Sequence, residues 1–391
     1  MDEKREKTLL IYGMYDVQPV SGQDWSVPPF AATIRELPGL GQCLVARGAC
    51  NSKGPLIGFI NALSSLRQSQ GELPSNFIFT IEGEEEVGSR SIEDFYRQHR
   101  AELKADTAFE PFWAEYGTDV DRPTVALGTK GIVSFQLECR GGDWGGAVSH
   151  PVHSSVAAWI GSPTWRLIRA LSLLVDVNDD LNVPGLWRGK PPSEEDEALL
   201  AKLAATFDEK RLLALMGAHR FKYTLRGADL LRKYYFSPTI HVTELLITDG
   251  DTIPTSARAN ISMRLVPGMA AEASVHAVRE HLAANGFGDI VVTNLGGYPA
   301  VRTSLNDPIN VALLDAYEYH GCQPQVIPLF ASASPMYLFT DVLGIPYGSG
   351  GLGKAGGSHG VDEFFTIEGF KLFEKSIITL LYFFANRPST Q

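Results

Sequence analysis

Cysteine, long apolar runs and signal-peptide features are all scarce in this chain, and each shortage excludes a class of protein. The 391 residues include four cysteines, which lie far apart and form no CxxC pair. This is too few for a disulfide scaffold and favours a reducing compartment. No run of about 18 apolar residues suggests a transmembrane helix. The charged start MDEKREK leads directly into an apolar strand, so no signal peptide is expected. The sequence therefore predicts a cytoplasmic protein.

Positive charge is also in short supply. The chain has 34 Lys and Arg against 45 Asp and Glu, which gives a net charge of −11. This balance argues against nucleic acid or an anionic membrane as a partner, although a local arginine can still bind an anionic small molecule. The motif HExxH is absent, and the Gly-rich run 350–353 is not followed by the Lys-Ser or Lys-Thr of a phosphate loop.

Apolar strands alternate with helices at both ends of the chain, and this pattern predicts an α/β fold. The runs 8–12 and 76–81 are typical of buried strands in a mostly parallel sheet, and 55–68 has helical spacing. From about residue 125 the pattern changes to that of an inserted α+β domain, and the α/β pattern returns near 297. Within the insertion we predict strands at 131–139, 239–246, 259–266 and 290–294, and helices at 155–175 and 271–285. Elsewhere we predict helices at 92–103, 308–321 and 367–386 and a strand at 106–109.

The strongest chemical signal is a cluster of carboxylates directly after the strand 76–81. It contains Glu82, Glu84, Glu85 and Glu86. Carboxylates at one strand end repel each other unless a cation compensates them or one stays protonated for acid–base work. Ligands of open α/β sheets bind at the carboxyl ends of the strands. The alternative interpretation is a solvated acidic loop.

Four other polar positions are candidates, each with a structural alternative. Asp16 follows the first strand, where aspartate is also common in turns. Asn51 lies in a Gly-flanked loop at the start of a helix, a junction that many proteins contain. His359 lies in a Gly-rich loop poorly suited to core packing, which favours a ligand or catalytic role. His153 precedes two serines, either of which is a helix N-cap candidate.

Taken together and in this order, these segments resemble the aminoacylase–carnosinase family of co-catalytic metallopeptidases, which includes succinyl-diaminopimelate desuccinylase. The likeness covers Leu9, Trp25, Pro29-Phe30, the RGA…KG loop, EGEEE, Arg264 to Pro267, and His359. The forms YGxxDVQP and EGxEExGS are most similar to the carnosinase and dipeptidase branch. The resemblance implies a three-layer catalytic domain at 1–126 and 296–391, a lid and dimerisation domain at 127–295, and a homodimer. Relatives carry some tens of residues before the first strand, which implies a shortened or incomplete chain here.

The resemblance also implies roles for individual residues. Glu85 falls on the general base, and Glu86, His359 and Glu110 fall on metal ligands. Arg264 falls on an arginine that binds the carboxylate of the substrate, for which a bidentate guanidinium is well suited.

The lid histidine that stabilises the oxyanion is harder to place. Relatives carry it in an Asp-x-His-Ser-Gly run, where this chain has Asp143-Trp144-Gly145-Gly146. His153 is the candidate for this role.

Two positions depart from the family pattern. Met14 stands where relatives have their first histidine ligand, and Asn51 replaces the aspartate that bridges the two metal ions. A thioether is a poor ligand for Zn²⁺ or Mn²⁺, and a neutral amide cannot offset the repulsion of two cations. We therefore expect the metal position of Glu110, Met14 and Asn51 to be severely weakened. Glu86 and His359, with either Asn51 or water, are left to hold the other ion. Asp16, which orients the missing histidine in relatives, is a possible replacement ligand.

The predicted function is hydrolysis of a peptide or N-acyl amide bond in a small carboxylate-bearing substrate, with one or two Zn²⁺ or Mn²⁺ ions per chain. The first alternative is a non-catalytic relative that binds a small ligand or a partner without turnover, which Met14 and Asn51 favour. The second alternative is metal-free chemistry with Cys50 as the nucleophile. Such a cysteine is more commonly a small buried thiol in the core, which argues against this alternative.

Overall fold

A computed structural model of the chain describes residues 3–116, 122–186, 189–247 and 250–387. The strands are β1 Thr8–Met14, β2 Thr33–Leu37, β3 Gly41–Val45, β4 Asn76–Glu82, β5 Thr107–Pro111, β6 Glu115–Tyr116, β7 Thr124–Ala126, β8 Gly128–Arg140, β9 Val152–His153, β10 Thr239–Leu246, β11 Thr252–Ile253, β12 Ser256–Leu265, β13 Val291–Tyr298, β14 Val301–Arg302, β15 Gln325–Ile327, β16 Phe330–Ala333, β17 Tyr347–Gly350, β18 Lys354–Gly356 and β19 Phe364–Thr366. The helices are α1 Lys53–Gln70, α2 Ile92–Gln98, α3 Pro163–Leu173, α4 Glu194–Ala204, α5 Glu209–Leu215, α6 Gly227–Phe236, α7 Ala271–Ala284, α8 Pro308–Tyr319 and α9 Ile367–Ala385. Within these described ranges, no helix is long and apolar enough to cross a membrane.

Two compact units make up the chain. The first comprises the residues up to Gly128, Arg302–Pro328 and the residues from Met336 onward, and the second comprises Thr129–Val301 and Leu329–Pro335. The second unit extends past residue 295 because β13 pairs with β8 as far as Tyr298. In the sequence, the second unit is therefore inserted into the first unit, whose remaining segments follow residue 301.

The first unit is built on a parallel sheet with the strand order β17-β5-β1-β4. The apolar run of β1 lies in the centre, where Leu9, Leu10 and Ile11 are fully buried, as expected for a strand covered on both faces. In the register of β1 and β4, Met14 lies opposite Glu82. The carboxyl ends of these strands meet at one edge, so the residues that follow them come together there.

A smaller mixed sheet accompanies the parallel sheet in the first unit, with the order β2-β3-β19-β18-β6. In it β19 runs antiparallel to β3, so Phe364 pairs with Val45. This pairing brings the loop after β3 beside the Gly-rich loop before β19. The predicted α/β fold with a mostly parallel sheet is thus confirmed.

The second unit is an α+β layer. Its antiparallel sheet has the order β10-β12-β8-β13, and β16 pairs with β8 in parallel. Alternate residues of β12, among them Ile261, Met263 and Leu265, are buried in a core that also includes residues of α3 and α7. Because side chains alternate along a strand, Arg264 faces the opposite side of this sheet.

The predicted helix at 155–175 was wrong in its first third. Residues 154–156 form a single 3₁₀ turn, and α3 begins only at Pro163. Proline lacks the backbone N–H that a helix interior needs, but it fits the first turn of a helix. The predicted helix at 92–103 was also too long, since α2 ends at Gln98.

Candidate functional site

Glu86 is the centre of a hydrogen-bond network at the carboxyl edge of the parallel sheet. It lies in a 3₁₀ turn, Glu85–Val87, directly after β4. Its Oε1 accepts from Asn51 Nδ2 at 2.8 Å, and its Oε2 accepts from Gln18 Nε2 at 2.8 Å and lies 3.1 Å from His359 Nε2. Burial alone would raise the pKa of Glu86, but the hydrogen bonds from His359 and Gln18 outweigh it and lower the pKa. Three predicted ligand positions, Asn51, Glu86 and His359, are thus brought together.

His359 reaches this network from a tightly constrained loop. Its backbone has a φ of 64°, in the left-handed region that non-glycine residues rarely adopt. Such a conformation persists only where the surrounding structure fixes it, and here Arg47 Nη2 donates to the carbonyl oxygen of His359 at 3.2 Å. Its hydrogen bond with Glu86 raises the pKa of His359. The imidazole is therefore held towards the carboxylate.

Glu363 joins the two loops that carry Asn51 and His359. Its carboxylate accepts from the backbone N–H groups of Gly48 at 2.9 Å, Cys50 at 2.8 Å and Asn51 at 2.7 Å. It also pairs with Arg47 at 2.8 Å, and the side chains of Glu363 and Arg47 are each only 1% exposed. No role was predicted for Glu363 from the sequence. An acidic residue four positions after the histidine was the only available signal.

Replacement of Glu363 by glutamine should lower the free energy of unfolding by about 3 kcal/mol, because it leaves the Arg47 guanidinium buried without a counter-ion. Urea denaturation followed by tryptophan fluorescence measures this change. Glu368→Gln is the control, because Glu368 is 84% exposed in its ion pair with Lys371 and such pairs contribute little. An E363Q protein as stable as the parent would contradict the role of Glu363 as the link between the loops.

Glu85 stands beside this network without joining it. The side chain is half-buried, and its carboxylate makes no hydrogen bond to any residue in the described ranges. Burial raises the pKa of Glu85 to about 8, and the negative charges of Glu86 and Glu110 add to the effect. A carboxylate with raised proton affinity and no protein partner is suited to accept and return a proton.

Three further predicted residues lie around the same edge of the sheet. Met14 ends β1 with 5% of its surface exposed. On β5, Glu110 accepts from the Tyr347 hydroxyl at 2.6 Å, and burial raises the pKa of Glu110. Asp16 accepts from the backbone N–H of Glu86 at 2.9 Å through Oδ2. Its buried Oδ1 has no hydrogen-bond partner in the described part of the chain. Asp16 thus supports the turn that carries Glu86.

The donor set fits one divalent cation better than two. Over the described residues, no group of three or more His, Cys, Asp and Glu side chains is arranged to hold a metal ion. Glu86 and His359 supply an oxygen and a nitrogen donor. Asn51 turns its Nδ2 towards Glu86, and its Oδ1 accepts from Ser52 Oγ at 2.9 Å, so the amide must rotate before its oxygen can be a third ligand. A second ion would depend on Met14 and on a charged bridge that Asn51 does not provide.

Two predicted residues belong to the second unit. His153 lies on β9 with its side chain 69% exposed and its Nδ1 accepting from the backbone N–H of Ser155. His153 itself is therefore the N-cap of this turn, whereas the structural alternative had placed the cap at one of the two serines that follow it. Arg264 lies on β12, and its guanidinium has no hydrogen bond or ion pair to any residue that the structure describes.

The environment of Cys50 argues against a role as a nucleophile. The side chain is fully buried, and burial raises the pKa of the thiol to about 12, although a hydrogen bond from Ser358 lowers it slightly. A nucleophilic cysteine needs a lowered pKa and some exposure. Cys50 is therefore a core residue, as the structural alternative predicted.

Comparison with known proteins agrees with the geometry. Residues 10–382 match the family described as Peptidase family M20/M25/M40. The chain is 26% identical to the Beta-Ala-His dipeptidase of Rattus norvegicus over 399 residues, which covers 97% of this chain and 78% of the relative. It is 28% identical to the Cys-Gly metallodipeptidase dug1 of Schizosaccharomyces pombe over 302 residues, which covers 72% of this chain and 58% of the relative.

Solved structures give the same result. The M20 family metallo-carboxypeptidase Sso-CP2 from Sulfolobus solfataricus is 29% identical, with a TM-score of 0.87 over 98% of this chain and 86% of that one. Human carnosine dipeptidase 1 is 23% identical, with a TM-score of 0.77 over 98% of this chain and 82% of that one. Two of these relatives are named as metal-dependent peptidases, and the resemblance drawn from the sequence is confirmed. Because the family match spans nearly the whole sequence, the chain belongs to peptidase family M20/M25/M40.

Proposed function

We propose that the protein hydrolyses the amide bond of a small peptide or N-acyl amino acid that bears a free carboxylate, with one bound divalent cation and Glu85 as general base. The observation that carries this proposal is the convergence of Glu86, His359 and Asn51 beside Glu85, whose carboxylate has no hydrogen-bond partner among the described residues. Membership of a peptidase family with dipeptidase relatives supports it. Those relatives do not favour the non-catalytic alternative.

Glu86, His359 and Asn51 would hold the cation, for which Zn²⁺ and Mn²⁺ are the candidates. Such an ion, when bound, polarises the substrate carbonyl and lowers the pKa of a water molecule. The neutral Asn51 limits the negative charge of the site, so one ion per chain is the stoichiometry that we propose.

The protein groups have separate tasks in this scheme. Glu85 takes a proton from the attacking water and returns it to the leaving amine, as a general base and then a general acid. Arg264 binds the carboxylate of the substrate through two parallel N–H donors. Gln18 and Asp16 keep Glu86 in place through the hydrogen bonds described above. His153 has no catalytic role in this scheme.

Metal titration tests the proposal. Protein stripped with a chelator and reloaded with Mn²⁺ or Zn²⁺ should bind about one ion per chain and gain hydrolytic activity, because the donor set fits a single cation. Elemental analysis measures the ion content, and release of free amino acid from β-Ala-His, Cys-Gly and N-acetyl amino acids measures the activity. Metal-loaded protein that leaves every substrate of this panel intact would refute the assignment.

A homodimer formed through the second unit and a cytoplasmic location stay predictions from the sequence. The dimer has some structural support. Strand β10 lies at the end of the sheet order, and Val242, Leu245 and Leu246 on it are between 40% and 47% exposed. An exposed apolar edge strand is a surface on which a second copy can pack.

A further inference from the structure

A cavity of about 280 Å³ within the second unit has an unusual excess of positive charge. It lies on the sheet face that carries Arg264, and its walls include Lys130, Lys222 and Lys233. Among the described residues that line it, Asp180 is the one carboxylate. Aromatic side chains, such as Tyr223, form part of the wall. The volume is small, so the cavity suits a side chain or a compact acid rather than a large ligand.

Lys130 is the buried cation of this cavity. It is 3% exposed, and its Nζ donates to the carbonyl oxygens of Tyr234 at 2.6 Å and Ser237 at 2.9 Å. An ammonium group has three N–H donors, and the third has no oxygen acceptor among the described residues; Nζ also lies 5.9 Å from the centre of the Tyr234 ring. Burial, followed by the charge of Arg264, lowers the pKa of Lys130 to about 8. The structure describes no carboxylate that pairs with Lys130.

Arg264 shares this face of the sheet with Lys130. Arg264 pairs across the strands with Ile132, two residues from Lys130, so the two cations are diagonal neighbours on one face. Neither has a charged partner among the described residues. A pair of adjacent cations, of which Lys130 is buried and Arg264 is partly exposed, is costly unless an anion joins them.

Asp180 does not supply that anion. Its Oδ2 accepts from Lys233 at 2.7 Å, and its Oδ1 accepts from the Tyr223 hydroxyl and lies 3.4 Å from Lys222 Nζ. The carboxylate is therefore shared between the two exterior lysines. Lys130 and Arg264 remain as the uncompensated pair.

We propose that this cavity recognises a second carboxylate on the substrate, so that the protein prefers substrates whose C-terminal residue is aspartate or glutamate. Arg264 binds the main-chain carboxylate, and Lys130 donates its remaining N–H to the side-chain carboxylate. Lys222 and Lys233 contribute a favourable field at the rim. This inference rests on the proposed function, because it names the substrate class of the same hydrolase.

Binding of simple acids tests the cavity without turnover. Isothermal titration of the metal-loaded protein should show glutarate binding about tenfold more tightly than butyrate, the gain expected for one extra charged hydrogen bond. Lys130→Gln should remove this preference and leave butyrate binding unchanged, whereas Arg264→Gln should weaken both acids. Lys202→Gln, a change at an exposed lysine of α4, is the matched control and should behave like the parent.

Other outcomes of this titration would overturn the inference. Equal affinity for the two acids in the parent protein is one, and an unchanged preference in K130Q is another. Inorganic phosphate that binds more tightly than glutarate, and loses affinity in K130Q, would assign the cavity to free phosphate instead. If K130Q does not fold, R264Q carries the test, because Arg264 has no protein partner to lose in the described structure.

A kinetic comparison separates this inference from the proposed function. The value of kcat/KM should be about tenfold higher for Gly-Glu than for Gly-Gln, mainly through KM, and K130Q should bring the two values together. Equal values in an active enzyme would overturn the cavity assignment and leave the hydrolase standing. Selective glutarate binding without cleavage of any peptide would support the cavity and overturn the hydrolase.

Discussion

Replacing Glu85 with glutamine should reduce kcat by about 10³-fold, because a general base contributes on the order of 10² to 10⁴ in rate. The change is nearly isosteric. It removes no hydrogen bond in the described structure, since the Glu85 carboxylate has no protein partner there. The fold and the cation should therefore be retained while proton transfer is lost. Steady-state kinetics on the best substrate of the panel, together with metal analysis of the same preparation, measure both quantities.

The acidic segment itself offers a control for this variant. Glu84 precedes Glu85 and is exposed, and its carboxylate accepts from the backbone N–H of Ser91 at 3.2 Å. Glu84→Gln removes the same charge one residue away and should leave kcat within about twofold of the parent, since surface changes have small effects. If E85Q and E84Q lose activity to the same degree, Glu85 acts through the charge of the cluster rather than as the base.

The double variant Met14→His and Asn51→Asp should raise the ion content from about one to about two per chain. Imidazole replaces a thioether that divalent cations bind poorly, and a carboxylate replaces a neutral amide between the two positions. Without metal, the variant should be less stable than the parent, because Asn51 now donates to Glu86 at 2.8 Å and an aspartate there repels it. Elemental analysis and thermal unfolding with and without Mn²⁺ measure these two effects.

Met14→Leu is the matched control for this experiment. Leucine keeps the volume of methionine in the buried end of β1 and removes the sulfur. The ion content of M14L should equal that of the parent, which would show that the thioether holds no ion. A double variant that still binds a single ion would argue against the loss of the second site through Met14 and Asn51.

Much of the fold follows from local patterns in the sequence. The strand predicted at 239–246 matches β10 in both bounds, and the helix predicted at 271–285 matches α7 to within one residue. The error at 155–175 has a local cause as well. Apolar residues continue through that segment, but Pro163 fixes the start of α3 and His153 caps a separate turn. Spacing alone does not distinguish these cases.

The contacts of the candidate site are harder to predict from the sequence, because they join residues that are far apart along the chain. The carboxylate cluster at 82–86 was visible as a local pattern, and Asn51 and His359 were assigned by resemblance. The bond from Gln18 to Glu86 spans 68 residues, and the bonds from Glu363 to the loop at 47–51 span more than 300. No local pattern encodes such partners. They depend on which loops the strand order places side by side.

The position of β17 in the parallel sheet has a consequence during synthesis on the ribosome. Thr107 of β5 donates its hydroxyl to the carbonyl oxygen of Pro346, just before β17, and these residues are 239 positions apart. At bacterial or eukaryotic translation speeds, the nascent β5 therefore waits roughly 10 to 50 s for its neighbour. Throughout that interval its outer edge offers unpaired backbone groups to other chains. Holding chaperones would be needed most between the emergence of β5 and that of β17, and C-terminally truncated forms would aggregate.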